Sequence, residues 1–378
     1  MKPREYRRSA PPGKPALQVG EAKAVMAESV KTALVVGATG VIGRGLMAHL
    51  AGLPDWQAIG ASRRPPAASA ESLSYLAVDL LDPADARDKL AGQSKVTHVF
   101  YTAFVDGPDQ AAQVAPNLAL LRNCLEALDP VAQGLRRVVL VEGTKWYGSH
   151  LGPFKTPAKE DDPRCPPPMF YHDQEDFLRD FAEARPWSWC ALRPQTVCGF
   201  SLGSAMNLMT LIGVYAAICG EEGRPFSYPG KEAAYRALYQ VADAGLLARG
   251  QVWAATAEAA ADQAFNLTNG DFFRWQNLWP RLADFFGLEC GPVETQRLTE
   301  TMAGKAPVWD AIVARHGLQP NSFESLAAWP FGDYCLGCDY DVMSSTTKIR
   351  QAGFHEVQDS EEMFLRLFAE FRAARVIP

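Results

Sequence analysis

Three glycines near the start of the chain have the spacing of a dinucleotide-binding turn. Residues 32–43 read T-A-L-V-V-G-A-T-G-V-I-G, and a helical pattern follows over 44–53. In such a turn the glycines let the chain leave the strand sharply, approach a pyrophosphate closely and pack the helix against the sheet. The helix N-terminus then offers free N–H groups to the phosphates. An ordinary tight turn is the alternative. The residues predicted to contact the cofactor here are Gly37, Thr39, Gly40, Val41, Ile42 and Gly43.

The end of the second predicted strand indicates which dinucleotide binds. Residues 56–61 form that strand, and Ser62-Arg63-Arg64 follows it. An acidic residue at this position accepts hydrogen bonds from the ribose 2′-hydroxyl of NAD, whereas arginine pairs with the 2′-phosphate of NADP. Arg63 lies 20 residues after Gly43, and no Asp or Glu stands at this strand end. The predicted cofactor is therefore NADP(H), bound by Arg63 and Arg64. A solvated basic turn is the structural alternative.

Strands and helices alternate over the first half of the chain, which predicts an α/β fold with a Rossmann-type, doubly wound parallel sheet. The predicted strands are 33–36, 56–61, 73–78, 96–102, 135–141 and 187–192, and the predicted helices are 44–53, 117–128 and 174–184. Ligands of such sheets lie outside the carboxyl ends of the strands. The residues at those ends that join the predicted cofactor site are Asp79, Leu80, Thr102, Ala103 and Lys145.

The regular alternation weakens after residue 200. We expect a Rossmann domain over 31–200 and a smaller, mainly substrate-binding region over 201–378, helical with short strands. Residues 1–30, rich in Pro, Ala and basic residues, are predicted to be a disordered extension, with an organelle-targeting peptide as the alternative. The elements predicted in the second half are helices at 206–219 and 275–286 and a strand at 264–269.

The composition is that of a globular protein, with 48% apolar and 21% charged residues and a net charge of −6. The acidic balance does not favour nucleic-acid binding, and no apolar run reaches the ~20 residues of a membrane span. We therefore expect a cytoplasmic protein.

Among eight cysteines only Cys335 and Cys338 form C-x-x-C, and the second pair that a zinc site of this type needs is missing. No metal is predicted, and a redox dithiol is the alternative to two reduced thiols.

The proton-transfer pair of ordinary short-chain dehydrogenases is missing. Those enzymes carry Tyr-x-x-x-Lys on one helix, where the lysine lowers the pKa of the tyrosine. In this chain the residue four positions after Tyr101, Tyr147 or Tyr171 is never lysine. A simple alcohol dehydrogenase of that kind is therefore excluded. The chain has instead the stretches G-T-K-W-Y at 143–147 and F-Y-H-D-Q-E-D at 170–176.

These stretches resemble the progesterone 5β-reductase/iridoid synthase-like (PRISE) family, an atypical extended branch of the short-chain dehydrogenases/reductases. That family has a lysine in G-x-K-x-Y at a strand end and a tyrosine in N-F-Y-Y-x-x-E-D. Lys145 and Tyr171 match these positions, whereas Met169 replaces the asparagine and His172 replaces the second tyrosine. The resemblance extends from Ala33 to the C-terminus, and the other stretches that carry it are 97–101, 206–208, 214–219, 265–270 and 307–309.

The resemblance implies NADPH-dependent reduction of the activated C=C bond of an enone or enal. Hydride would add to the β-carbon, and negative charge would build on the carbonyl oxygen. The resemblance assigns Tyr171 as the donor to that oxygen and Lys145 as the residue that holds the cofactor ribose, so that both also contact the cofactor. The expected partner is a small apolar carbonyl compound, and the residues predicted to wall its pocket are Phe104, Phe154, Met206, Met209 and Tyr215.

Two other functions stay open from the sequence. A nucleotide-sugar epimerase or carbonyl reductase of the extended type would use the same fold, but it would require the Tyr-x-x-x-Lys motif that this chain lacks. A non-catalytic NADP-binding sensor would look similar, although Lys145 and Tyr171 argue against lost catalysis. The physiological substrate, the stereochemistry and the oligomeric state are open, with a homodimer as one option.

Overall fold

The structure is a computed structural model that describes residues 30–66, 72–204 and 206–378. The extension predicted over 1–30 lies outside these residues, except for its last residue. None of the helices in the described ranges is both long enough and apolar enough to cross a membrane.

Seven parallel strands form the central sheet, as the alternating pattern predicts. Their order is β11-β6-β5-β4-β1-β2-β3. The central strands are buried on both faces, as is typical of parallel sheets covered by helices. The strands, in chain order, are β1 Lys31–Val36, β2 Trp56–Ser62, β3 Leu73–Ala77, β4 His98–Tyr101, β5 Arg137–Val141, β6 Ser188–Arg193, β7 Val197–Cys198, β8 Phe226–Tyr228, β9 Leu238–Tyr239, β10 Ala242–Asp243, β11 Gln263–Asn266, β12 Phe273–Arg274 and β13 Cys290–Val293.

Helices cover both faces of the sheet, and their apolar sides form two cores. Leu121 and Leu178 belong to the core on one face, and Leu46 and Leu246 belong to the core on the other. The helices are α1 Val41–Ala51, α2 Pro83–Leu90, α3 Gln110–Leu128, α4 Phe170–Ala182, α5 Leu208–Glu221, α6 Glu232–Arg236, α7 Ala244–Thr256, α8 Trp275–Phe286, α9 Leu298–Thr301, α10 Ala306–His316, α11 Phe323–Leu326, α12 Trp329–Gly337, α13 Thr347–Gln351 and α14 Ser360–Ala373.

The order of the strands places a crevice beside β1. From β1 the chain proceeds outward through β2 and β3 and then crosses back to β4 on the opposite side of β1. The helix connections on the two sides therefore diverge above the carboxyl ends of β1 and β4. In open parallel sheets this reversal is where ligands bind.

The sheet extends beyond the boundary predicted at residue 200. Its seventh strand, β11, pairs with β6, and α7 packs against α1 on one face. The division of the chain at residue 200 stays a prediction, but the second half contributes to the Rossmann sheet as well as to a region of its own. That region is built around α5, which is packed against Trp275, Trp279, Trp309 and Phe364.

One helix begins earlier than predicted, and the difference bears on the site. The prediction started α4 at the acidic run from residue 174, whereas the structure starts it at Phe170, after the extended backbone of Met169. Tyr171 therefore lies in the first turn of a helix rather than in the loop before it. Asp173 still lies in the first turn, where its charge suits the helix N-terminus.

Candidate active site

A cleft of about 800 Å³ lies at the carboxyl ends of the strands, over the crevice beside β1. The predicted cofactor-binding turn and the two predicted catalytic residues meet in this cleft. The glycine turn joins β1 to α1, Lys145 follows β5, and Tyr171 lies on α4. The residues predicted to bind cofactor line it together: Gly37, Thr39, Gly40, Val41, Ile42, Gly43, Arg63, Arg64, Asp79, Leu80, Thr102, Ala103, Lys145 and Tyr171.

The glycine turn is too tight for side chains at two of its positions. Gly37 has a positive φ of 84°, and a Cβ on it would lie 2.8 Å from the backbone nitrogen of Ala103. A Cβ on Gly43 would lie 2.3 Å from the carbonyl oxygen of Gly37, which is closer than any real contact. Gly40 is the N-cap of α1 and offers no side chain to the first N–H groups of that helix. These donors are available to a phosphate, so the turn fits a dinucleotide.

Two arginines stand at the rim of the cleft beyond β2. Arg63 and Arg64 are both exposed and line the cleft. Neither makes a hydrogen bond or an ion pair with another residue in the described part of the chain, in contrast to Lys31, which pairs with Asp55. Two unpaired guanidinium groups at this strand end fit a 2′-phosphate better than a bare 2′-hydroxyl.

Lys145 enters the cleft from the short 3₁₀ turn Thr144–Tyr147, which follows β5. Its ammonium nitrogen lies 5.5 Å from the centre of the Tyr334 ring, and the described residues supply it with no carboxylate partner. The side chain lines the cleft, whose surrounding walls lower the pKa of Lys145 by desolvating its charge. Lys145 therefore makes no ion pair among the described residues, although the Asp106 carboxyl group on the same cleft favours its charged form. Its ammonium group can act on an anion formed in the cleft.

Tyr171 faces the cleft from the first turn of α4, across from the residue that precedes the 3₁₀ turn. A Cβ on Gly143 would lie 3.3 Å from the Tyr171 hydroxyl, so glycine makes room for the phenol there. The hydroxyl makes no hydrogen bond within the described ranges and is open to a ligand. Burial, with the nearby Glu142 carboxyl adding to it, raises the pKa of Tyr171 well above its usual range. At neutral pH the phenol is therefore a hydrogen-bond donor.

A buried charge cluster lies behind the tyrosine and was not found from the sequence. Arg193, whose side chain is 1% exposed, bonds Glu142 at 2.7 Å and Glu175 at 2.6 Å, and its guanidinium lies 3.6 Å from the Trp146 ring centre. Trp146 also donates its indole N–H to Glu175 at 2.9 Å. Glu175 is the residue four positions after Tyr171. The position of the usual lysine is thus filled by a carboxylate that turns away from the cleft towards an arginine.

The two departures from the PRISE motif lie outside the cleft lining. A ring nitrogen of His172 lies 3.0 Å from the carbonyl oxygen of Trp146, and the two rings meet edge to face. Met169 is buried beside Phe170 and Cys165. Both residues therefore support the loop and helix that carry Lys145 and Tyr171 rather than contact a ligand.

The predicted substrate walls are only partly in place. Phe104 and Met206 line the cleft and are about 40% exposed there. The prediction is corrected for Met209 and Tyr215, which lie in the core of the second region because α5 is apolar and buried on nearly every side. Phe154 packs against buried residues outside the cleft lining as well.

Three aromatic residues that were not predicted line the cleft instead of Phe154, Met209 and Tyr215. Phe170 lines the cleft and stacks on Phe104, with 5.5 Å between the ring centres. Phe331 and Tyr334, both on α12, line the wall near Lys145. The sequence around α12 has no clear periodicity, so only its aromatic content could have suggested these residues.

Comparison with known proteins agrees with the resemblance seen in the sequence. The family described as "PRISE-like Rossmann-fold domain" matches residues 77–378. The chain belongs to the PRISE family. The match covers both motifs that carry Lys145 and Tyr171.

Two plant relatives are similar over nearly the whole chain. The 3-oxo-Delta(4,5)-steroid 5-beta-reductase of Arabidopsis thaliana is 36% identical over 92% of this chain and 93% of its own. The (S)-8-oxocitronellyl enol synthase of Catharanthus roseus is 34% identical over 99% of both chains. Membership in the PRISE family therefore includes the second region as well as the Rossmann sheet.

Solved structures confirm the fold over the same length. A UDP-glucose 4-epimerase of Thermotoga maritima superposes with a TM-score of 0.65, at 14% identity, over 90% of this chain and 99% of its own. A putative epimerase of Burkholderia cenocepacia gives a TM-score of 0.65 at 18% identity, over 92% of this chain and 99% of its own. Identities this low show a shared extended Rossmann fold and nothing about the reaction.

Proposed function

We propose that this PRISE protein is an NADPH-dependent reductase of the activated C=C bond of enones or enals. The observation that carries the proposal is the meeting of Tyr171 and Lys145 in the cleft that also contains the glycine turn. Both relatives named above are called a reductase or an enol synthase, and one is named for a 3-oxo-Δ4,5 steroid, which is an enone. A short-chain dehydrogenase of the ordinary kind would need lysine where Glu175 stands.

The cofactor is a nicotinamide dinucleotide, and we assign it as NADPH. Gly37 and Gly43 allow the backbone of the turn to pack closely between β1 and α1, and the first N–H groups of α1 have no side-chain cap and can bind a pyrophosphate. Arg63 and Arg64 supply unpaired cations for a 2′-phosphate. When bound, the cofactor supplies a hydride to the β-carbon of the substrate.

The residues of the chain stabilise the charge that this addition creates. As the β-carbon accepts hydride, the carbonyl oxygen becomes an enolate, and the protonated Tyr171 hydroxyl donates a hydrogen bond to it. The ammonium group of Lys145 adds positive charge in the same cleft. Donors aimed at developing charge in a site with little water are the largest contribution a protein makes to such reactions. The α-carbon can take its proton from solvent, so no second acid is needed.

The substrate is apolar over most of its surface. The cleft is lined by the aromatic side chains of Phe104, Phe170, Phe331 and Tyr334, of which Tyr334 lies beside Lys145. Aromatic walls with a few polar groups bind a ligand mainly through buried area and orient it through the polar groups. A conjugated carbonyl compound with a hydrocarbon body meets both conditions.

The identity of the product tests the reaction directly. Incubation with NADPH and a conjugated enone is expected to yield the saturated ketone, identified by mass spectrometry and NMR. With deuterated NADPH, the label is expected at the β-carbon. An allylic alcohol labelled at the carbonyl carbon would show carbonyl reduction instead and would contradict the proposal.

Arg63→Ala tests the choice of cofactor. Losing a charged hydrogen bond to a 2′-phosphate costs about 1.5–3 kcal/mol, which is roughly a 10- to 150-fold rise in Kd. We expect that rise for NADPH and little change for NADH, measured by fluorescence titration. The control is Arg87→Ala, which removes an exposed arginine from α2 outside the cleft lining. Equal losses for both cofactors would show that Arg63 does not contact the 2′-phosphate.

A further inference from the structure

Glu142 lines the cleft as a residue, but its carboxyl group is fully buried behind the lining, and the proposed reaction assigns it no role. It follows the last residue of β5 and lines the cleft next to Gly143, against which the Tyr171 hydroxyl lies. One of its oxygens accepts the Arg193 Nε–H at 2.7 Å. The other oxygen, Oε1, is buried and has no hydrogen-bond partner among the described residues.

One buried guanidinium group is shared by two buried carboxyl groups here, and the other nearby arginine, Arg179, is half exposed and contacts only Glu175. Ionisation of both glutamates would therefore leave Glu142 without a full counter-charge of its own. Arg193 contacts both Glu142 and Glu175, and all three side chains are at most 4% exposed. An uncompensated charge in such a place is costly, and a buried carboxyl group avoids the cost by holding a proton. One of the two glutamates is therefore the natural site of that proton.

The hydrogen bonds show which of the two it is. Glu175 accepts from Arg193 and from the Trp146 indole, and it also lies 3.5 Å from Arg179. Glu142 accepts a hydrogen bond from Arg193 alone, and its Oε1 has no hydrogen-bond partner among the described residues. The carboxylate with more donors is the better place for the charge, which leaves the proton on Glu142.

We propose that Glu142 is a positioning residue that acts through Tyr171, because its protonated carboxyl group keeps the floor of the cleft neutral while the enolate forms. Ionisation of Glu142 would place a second anion beside the enolate and hinder its formation. The proton stays on Glu142 throughout the reaction, and no bond to it is broken. This inference rests on the proposed enone reduction.

The electrostatic surroundings agree with this role. Burial, with a further contribution from Glu175, raises the pKa of Glu142 to about 8 although Arg193 opposes the shift. An ionised Glu142 carboxylate would also raise the pKa of Tyr171, whereas the protonated carboxyl group would not. The titratable groups that face Glu142 are Arg193 and Cys190 on β6, Tyr171 and Glu175 on α4, Tyr147 in the 3₁₀ turn and Arg164 in the loop before α4.

The pH dependence of enone reduction by Glu142→Gln tests the inference. In the wild type we expect kcat/KM to fall as pH rises through about 8. The amide of the Glu142→Gln variant is neutral at every pH, so we expect its activity to stay level over the same range. Glu175→Gln is the matched variant, since it removes the other carboxyl group on Arg193 and lies outside the cleft lining. Because Glu175 raises the pKa of Glu142, we expect kcat/KM of the Glu175→Gln variant to fall at a lower pH than in the wild type. A Glu142→Gln variant that keeps the wild-type fall would overturn the inference.

A second measurement does not depend on activity. Proteins labelled with ¹³C at the glutamate carboxyl carbon are compared by NMR, and the resonance missing from Glu142→Gln identifies Glu142. Titration of that resonance near pH 8 supports the inference, and titration near the ordinary value of 4.5 overturns it. If no enone is reduced at any pH although the resonance titrates near 8, the proposed function fails, and the assigned role falls with it. The protonated state of Glu142 would still stand.

Discussion

Replacing Tyr171 with phenylalanine is expected to lower kcat for enone reduction by about 10²- to 10³-fold. The variant keeps the ring and its packing on Phe170 but loses the hydroxyl that faces the cleft. Removing one donor from a comparable oxyanion site costs roughly 2.7–4 kcal/mol of transition-state stabilisation. The measurement is the steady-state rate of NADPH oxidation with a saturating enone.

Two comparisons separate this effect from a structural one. The affinity of the Tyr171→Phe variant for NADPH is expected to stay near that of the wild type, because the ring of residue 171, the glycine turn and the two arginines that would hold the dinucleotide are all kept. Tyr147→Phe is the matched control, since its hydroxyl bonds Asn266 at 2.7 Å outside the cleft lining. We expect that variant to be less stable but to keep its kcat. An unchanged rate in Tyr171→Phe would remove this tyrosine from the mechanism.

Replacing Arg193 with methionine is expected to destabilise the fold by about 3–5 kcal/mol at neutral pH. The substitution keeps most of the side-chain length but leaves Glu142 and Glu175 buried without their cation. Breaking a buried ion pair from one side typically has a cost of this size. Urea unfolding gives the free energy of the variant and of the wild type.

The loss should depend on pH in a definite direction. Arg193 lowers the pKa of Glu142, so its removal raises that pKa further above the ordinary value. A carboxyl group whose pKa is raised by folding destabilises the fold as pH rises from its ordinary pKa to its folded pKa. Up to about pH 8 the variant and the wild type lose stability in parallel. Above about pH 8 only the variant continues to lose it, so the difference between the two is larger at about pH 9.5 than at about pH 7. Arg179→Met is the control, because Arg179 is half exposed and 3.5 Å from Glu175. If Arg193→Met lost no more stability than Arg179→Met, Arg193 would not be the cation that stabilises the two buried glutamates.

The cofactor half of the site could be predicted from the sequence because each part of it has a local signal. The glycine spacing at 37–43 and the basic strand end at Arg63 are both contained in short stretches. The rule that ligands lie at the carboxyl ends of parallel strands then joined them to Thr102 and Lys145, which are distant in sequence. The structure places these residues along one cleft.

The charge cluster and the substrate walls could not be predicted in the same way. The pairing of Glu142, Glu175 and Arg193 depends on which strand ends and helix turns meet, and their sequence separation gives no periodic signal. The pairing of β11 with β6 at the edge of the central sheet also depends on long-range packing. The error at Tyr215 was avoidable, since a helix that is apolar all round indicates burial in a core rather than one face lining a pocket.

The most direct test of the account is the oxidation of NADPH in the presence of 2-cyclohexen-1-one, followed by the absorbance of the reduced nicotinamide. We predict a loss of absorbance that requires the enone, that is much slower with NADH, and that nearly disappears in Tyr171→Phe. The cleft would then be an enone-reducing site, with the natural substrate left to identify. Tight binding of NADPH without oxidation by this enone or by larger apolar enones and enals would contradict the account and favour a protein that senses the cofactor.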